Sequence, residues 1–209
     1  MALTLYVGSK RYSSWSLRPY LALAHTGAPF ACETILLDRD DTKANIAKVN
    51  PAGKVPVLHH DDVVVWDSLA ICEYVNELFR EAKLWPADRA QRARARSISA
   101  EMHAGFPALR QQMSMNIDAN LAGQGHTPEA LADARRVLTL WREALAASGG
   151  PFLFGTFTIA DAMYAPVATR FVTYGVELDA SCRAYVDAVY ALPGMQQWIA
   201  DAGREPVSR

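Results

Sequence analysis

The stretch RYSSWSLRPYLALAHTG, residues 11–27, decides how the chain is read. Its front half is hydroxylic, with Ser13, Ser14 and Ser16 around Trp15. Its back half is apolar, and Leu17, Tyr20, Leu21 and Ala24 recur at helical spacing. Serine favours the start of a helix because its hydroxyl accepts from amides that lack an intrahelical partner. Pro19 is expected in the first turn, where a missing N–H costs little. Gly27 suits the left-handed stop. Strand candidates flank this helix at Leu3–Val7 and around Phe30–Leu36. Strand, helix and strand in so short a length form a βαβ unit with parallel strands.

Working outward, NPAGKVPVLHHDDVVVW (residues 50–66) places strands at Val57-Leu58 and Val63–Trp66 around the turn His60-Asp61-Asp62, a β-hairpin. DSLAICEYVNELF (residues 67–79) then sets Leu69, Cys72, Val75 and Phe79 on one helical face. With a helical or loop link before the hairpin, the order is β-α-β-α-β-β-α, a small α+β domain with a mixed sheet. Strand patterns stop near Pro86, so Leu84-Trp85-Pro86 reads as a linker. Helical patterns cover roughly 88–118, 128–148, 158–173, 179–191 and 194–202, with Pro107 expected to kink or break the first. In GTFTIADAMYAPV (residues 155–167), Thr158 and Asp161 have capping-box spacing and Phe157 stands where a hydrophobic staple would. That signal is structural.

Composition excludes several functions. The net charge is −1, from 21 basic and 22 acidic residues, which argues against a nucleic-acid or membrane-surface partner. The arginines at 89, 92, 94 and 96 read as a solvated helix face. Cys32, Cys72 and Cys182 lie far apart without a CxxC, so neither a metal site nor a dithiol pair is expected. Sparse, odd cysteines suit a reducing compartment. MALTLYVGSK is too short and too weakly apolar for a signal peptide, and no run reaches the roughly 18 apolar residues of a membrane span. A cytoplasmic location is expected.

The segments SSWSLR, NPAGKVPVL, WDSLAICEYV and FTIADAMYAPV, in this order along nearly the whole chain, resemble the glutathione transferase family. The paired serines are most similar to its zeta class and related bacterial serine-type members. The resemblance implies the glutathione transferase fold, with a thioredoxin-like, glutathione-binding domain at 1–82 and an all-helical domain at 88–209 bearing the electrophile site. It also implies a cytoplasmic homodimer. The implied activity is detoxifying transfer of glutathione to a small electrophile. A glutathione-dependent cis–trans isomerase of an unsaturated dicarboxylate, in which glutathione is cofactor rather than substrate, is the alternative. A non-enzymatic binding or interaction protein on the same fold is the third reading.

The resemblance also assigns residues. Val55-Pro56 would be a cis-proline turn whose Val55 N–H and C=O pair with the tripeptide as a short strand does. Ser68 at a helix start would hold the γ-glutamyl carboxylate, where free amides and the helix dipole favour an anion. Asp67 would face the ligand's ammonium, and Lys54, or less directly Lys43, its glycyl carboxylate. Ser13, with Ser14 second, would donate a hydrogen bond to the thiolate. Lowering a thiol pKa from about 8.5 by two units needs about 2.7 kcal/mol, and one charge-assisted hydrogen bond is worth about 1.5–3 kcal/mol. Arg18 would brace this loop or form an ion pair. Trp15 stands where zeta members carry cysteine, which removes a protein thiol from the site. It is placed among the glutathione-binding residues and as a wall of the electrophile pocket. His103, Phe106 and Arg110, near Met102, Met113 and Met115, would face the second substrate, with Arg110 binding an anion.

Overall fold

The computed structural model describes residues 2–207. The first half comprises β1 (Leu3–Gly8), α1 (Ser14–Thr26), β2 (Ala31–Ile35), α2 (Thr42–Val49), β3 (Val57–His60), β4 (Val63–Val65) and α3 (Ser68–Leu78), the predicted order. Leu3, Leu5 and Val7 alternate inward along β1, as the period of two in a strand requires. The sheet order is β2-β1-β3-β4. β1 runs parallel to β2, with Leu5 opposite Cys32, and β3 is antiparallel to both of its neighbours. The hairpin turns at Asp61, whose φ of 50° is left-handed. On α3, Ile71, Cys72 and Val75 are buried, whereas Leu69 and Phe79 are half-buried at the edge of that face.

Helix α1 starts earlier than expected. Ser13 is its N-cap, so Pro19 lies in the second turn rather than the first. Its ring deletes the bond that would reach the Trp15 carbonyl, a change that costs about 3 kcal/mol in an isolated helix. Packing overrides this: α1 lies against α3 and α7 and buries Leu17, Leu21, Ala22 and Leu23. Gly27 closes the helix at φ 70°, as expected.

The second half is helical: α4 (Arg89–Ala104), α5 (Pro107–Gln112), α6 (Pro128–Ser148), α7 (Ile159–Tyr174), α8 (Ala180–Ala191) and α9 (Pro193–Ala202). The single helix expected over 88–118 is two helices, and 113–127 is irregular. The break precedes the proline. A Cβ at Gly105 would lie 2.7 Å from the Glu101 carbonyl oxygen, and Phe106 turns left-handed at φ 61°. Pro107 then opens α5 at a position that needs no N–H. The presumed linker is no loose tether, because Leu84 and Trp85 are buried and the Leu84 carbonyl accepts from Ile159 N–H at 2.9 Å. No helix of the described residues is long and apolar enough to cross a membrane.

Helix α7 is buried almost all round. Its capping box forms as predicted: the buried Asp161 accepts from Thr158 N–H at 2.8 Å and also from Leu153 N–H at 3.0 Å. Phe157 lies tilted against His25 at the end of α1 (4.5 Å between centroids) and meets Phe152 edge-on (6.0 Å). Asp161→Ala removes the acceptor of three buried donors, Thr158 N–H, Leu153 N–H and the Thr158 hydroxyl, the two fixed amides alone costing about 1–3 kcal/mol each. The expected loss is about 2–4 kcal/mol of stability with the same fold, read from denaturant midpoints at constant m value.

Candidate functional site

Three pieces of the first half converge on one cavity: the start of α1, the turn before β3 and the start of α3. The cavity has a volume of about 350 Å³ and is lined by Trp15, Lys54, Val55, Pro56, Trp66, Asp67 and Ser68. Six of these seven residues are singled out by the sequence. Trp66 is not, because a tryptophan at the end of a hairpin carries no signal of where its ring will lie. A larger, open groove of about 690 Å³ lies between α3 and α4, walled by charged side chains including Glu73, Glu77, Arg92 and Arg96.

The Val55–Pro56 bond is cis, and so is Trp66–Asp67. Val55 N–H and C=O form no hydrogen bond among the described residues, so both are available to an extended ligand. Asn50, which the sequence reading passed over, builds this turn. Its side chain donates to the Lys54 carbonyl at 2.7 Å and accepts from Ala52 N–H at 3.0 Å. The Lys54 side chain is exposed at the cavity, whereas Lys43, on α2, is outside the lining.

At the start of α3, Asp67 Oδ1 accepts from Leu69 N–H at 3.2 Å. Its Oδ2 lies 3.2 Å from Nε2 of His103, on α4. Ser68 is fully buried, and its hydroxyl has no hydrogen-bond partner among the described residues. At the start of α1, the Ser13 hydroxyl turns inward and donates to Ser16 Oγ at 2.7 Å. Ser16 Oγ also accepts from Gly8 N–H at 3.0 Å. Ser14, the first helical residue, makes no side-chain hydrogen bond among the described residues, and its hydroxyl oxygen is not sealed from solvent. The free donor is therefore Ser14, the second choice from sequence. Ser13 is occupied by the side chain of Ser16 and makes no capping bond to a helix amide.

Trp15 is 37% exposed at the cavity and meets His103 edge-on at 5.3 Å. Behind it lie two arginines, with the Arg18 guanidinium 4.2 Å and that of Arg110 4.8 Å from ring centroids of Trp15. Arg18 is fully buried, forms no ion pair among the described residues, and none of its three side-chain nitrogens has a partner. Of the two expected roles, a brace of the loop or an ion pair, the ion pair does not form among the described residues, because the neighbours whose charges act most strongly on it, Arg110 and Arg170, are themselves cations. Arg110 does not open onto the cavity either. It donates to the Gly105 carbonyl at 2.8 Å and to the Met102 carbonyl, closing the end of α4. Phe106, Met102, Met113 and Met115 are buried core, outside the lining. Sequence distance along the 102–115 segment does not show that the chain folds back at Phe106 and turns these side chains inward.

None of the three thiols lines the cavity, and burial pushes Cys32 and Cys182 up to about 11 and Cys72 further. No protein thiolate is available near neutral pH. In the resting protein, the Ser68 hydroxyl is desolvated without a compensating bond. Ser68→Ala is expected to keep or slightly raise Tm, within a change of about 0.5 kcal/mol in stability; a thermal melt that falls by several degrees would show that the hydroxyl has an internal partner.

Two family models match the chain: glutathione S-transferase, N-terminal domain, over residues 12–78, and glutathione S-transferase, C-terminal domain, over residues 118–201. A probable maleylacetoacetate isomerase of Caenorhabditis elegans is 37% identical over 97 residues, which is 46% of this chain and 45% of that protein. Glutathione S-transferase Z1 of Arabidopsis thaliana is 38% identical over 89 residues, 40% of each. The chain thus aligns with less than half the length of these relatives. A crystal structure of a glutathione transferase homologue from Burkholderia with bound glutathione superimposes with a TM-score of 0.75. It is 25% identical, and the match covers 99% of this chain and 100% of that one.

Proposed function

Because the chain belongs to the glutathione S-transferase family, we propose that it binds glutathione in the cavity at Val55, Pro56 and Ser68 and activates the thiol for attack on a small electrophile. One observation carries this reading: the orphaned, fully buried Ser68 hydroxyl at the start of α3, in the wall of the cavity. A carboxylate there gains the hydroxyl, the free amides and the positive end of the helix dipole together. Val55 pairs with the peptide backbone of the ligand, Lys54 with its glycyl carboxylate, and Asp67 with its ammonium. Trp15 and Trp66 close the sides.

The thiol then lies toward the start of α1. Ser14 donates to the thiolate, while Ser13 and Ser16 hold the turn that presents it. Residues 1–82 form the glutathione-binding domain, and residues 88–209 bring the second substrate to the exposed side of Trp15, near His103, with Phe106 and Arg110 as buried support behind that ring. The protein works as a cytoplasmic homodimer without nucleic acid, membrane or metal. The exposed apolar edge Val63, Val64 and Trp66 is available to a second copy.

A second reading, isomerisation of an unsaturated dicarboxylate with glutathione returned unchanged, is favoured by the Caenorhabditis elegans relative named as a probable maleylacetoacetate isomerase. Both readings need the thiolate. Titration of bound glutathione by ultraviolet difference absorbance is expected to give a thiol pKa about two units below that of free thiol, near 8.5. Ser14→Ala should raise it by about one unit or more, and Ser13→Ala by less. Ser68→Ala should weaken glutathione binding about tenfold without moving that pKa, as lost binding of about 1.4 kcal/mol requires. Absence of glutathione binding would overturn the proposal. Screening electrophiles against unsaturated diacids separates the two readings.

A further inference from the structure

Arg18 has no structural explanation of the usual kind. A buried guanidinium carries five N–H donors and is normally bonded to carboxylates or carbonyls. Here Nε, Nη1 and Nη2 are all buried and all unpartnered. Its neighbours repel it, since the dominant charges acting on it are Arg110 and Arg170, and the opposing pull of Asp67 is the weakest. Arg170 is occupied by the Met113 and Pro166 carbonyls, and Arg110 by the carbonyls that end α4, with Nη1 of Arg110 also left unpartnered. No member of this cluster forms a salt bridge among the described residues. Burial pushes Arg18 down to about 9, which still leaves it charged at neutral pH.

The Trp15 ring links this buried charge to the cavity. Trp15 lines the cavity and contacts both guanidinium groups, while neither arginine reaches the lining. We infer that Arg18 and Arg110, held behind Trp15 without a carboxylate, stabilise an anion at the mouth of α1, and that this anion is the glutathione thiolate. The inference rests on the glutathione-binding reading above and adds to it a source of activation other than the serine hydroxyl. The charged groups at the cavity itself are Asp67 and Lys54, with His103 beside it against Asp67 and Trp15. Asp67 and Lys54 carry opposite signs, so the net bias comes from behind the tryptophan. A unit charge about 8 Å away at an effective dielectric of about 20 moves a titration by about one to one and a half units. The thiol proton leaves to solvent, and the arginines keep theirs.

Arg18→Met separates this role from a brace. Replacing an unpaired buried charge by an apolar chain of similar length is neutral or stabilising. The expected result is therefore an unchanged or higher Tm together with a bound-thiol pKa raised by about one unit. Binding of S-methylglutathione, which has no thiol to ionise, should stay within about twofold of the unmodified protein. Arg110→Met should also raise the pKa, at some loss of stability from the uncapped end of α4. In the unmodified protein the low pKa should persist at molar salt, because buried charges are poorly screened. A pKa unmoved in both variants, or one that reverts to the free-thiol value in salt, overturns the inference and leaves the serine mechanism standing. A pKa unmoved together with lost binding of a carboxylate-bearing second substrate would show that the anion is that carboxylate. A protein that binds no glutathione overturns both readings at once.

Discussion

Helix α1 is packed between α3 and α7, and the site hangs from its first turn. A buried helix is a rigid ruler. Once its core residues Leu17, Leu21 and Leu23 are seated, Ser13, Ser14, Trp15 and Arg18 have no independent freedom of position. Trp15 and Arg18 are three residues apart, so they share a face, and their contact follows from the spacing. The same packing keeps Pro19 inside the helix.

The loop that leads into α1 is held from the other end of the chain. Trp198 donates to the Lys10 carbonyl at 2.8 Å, and Lys10 N–H donates to Glu205 at 3.0 Å. The Lys10 ammonium lies 2.5 Å from Asp201, and Arg11 bonds both Asp118 and the Ala202 carbonyl. The approach to the serines is thus fixed by α9 and the residues after it. Because the Lys10–Asp201 pair is largely enclosed, it is less open to screening than a surface pair.

Polar groups around the cavity fall into two kinds. Ser13, Ser16 and Asn50 have their partners and support the walls. Among the described residues the buried Ser68 hydroxyl has none, nor do the nitrogens of Arg18, while the Ser14 hydroxyl is unbonded but open to solvent. A desolvated group without a partner raises the free energy of the resting protein, and a ligand that supplies the partner, or the opposite charge, recovers it. Asp67 lies between these kinds. It is already bonded to Leu69 and faces His103 across the gap between α3 and α4, so an incoming ammonium competes with an imidazole.

Much of this was legible in the sequence. The order of elements, the parallel pairing of the first two strands, the hairpin and the stop at Gly27 follow from local signals: alternation, helical spacing, proline and the small set of residues that start helices. The cis-proline turn and six of the seven cavity residues follow from the resemblance of short segments to a known family. Such signals act over a few neighbouring residues, which is why they survive without a fold. The occupancy of hydroxyls and guanidinium groups was not legible. That Ser13 is bonded and Ser14 free depends on where Ser16 and Gly8 come to lie. That the charges acting most strongly on Arg18 are cations, Arg110 and Arg170, depends on α5 and α7, which are distant in sequence. That Arg110 closes α4 instead of facing the cavity depends on the left-handed turn at Phe106. Sequence determined which residues stand at the ends of helices and turns. Tertiary structure decided which of their polar groups were left without a partner, because a hydrogen bond is settled within about 3 Å by whatever packing brings near.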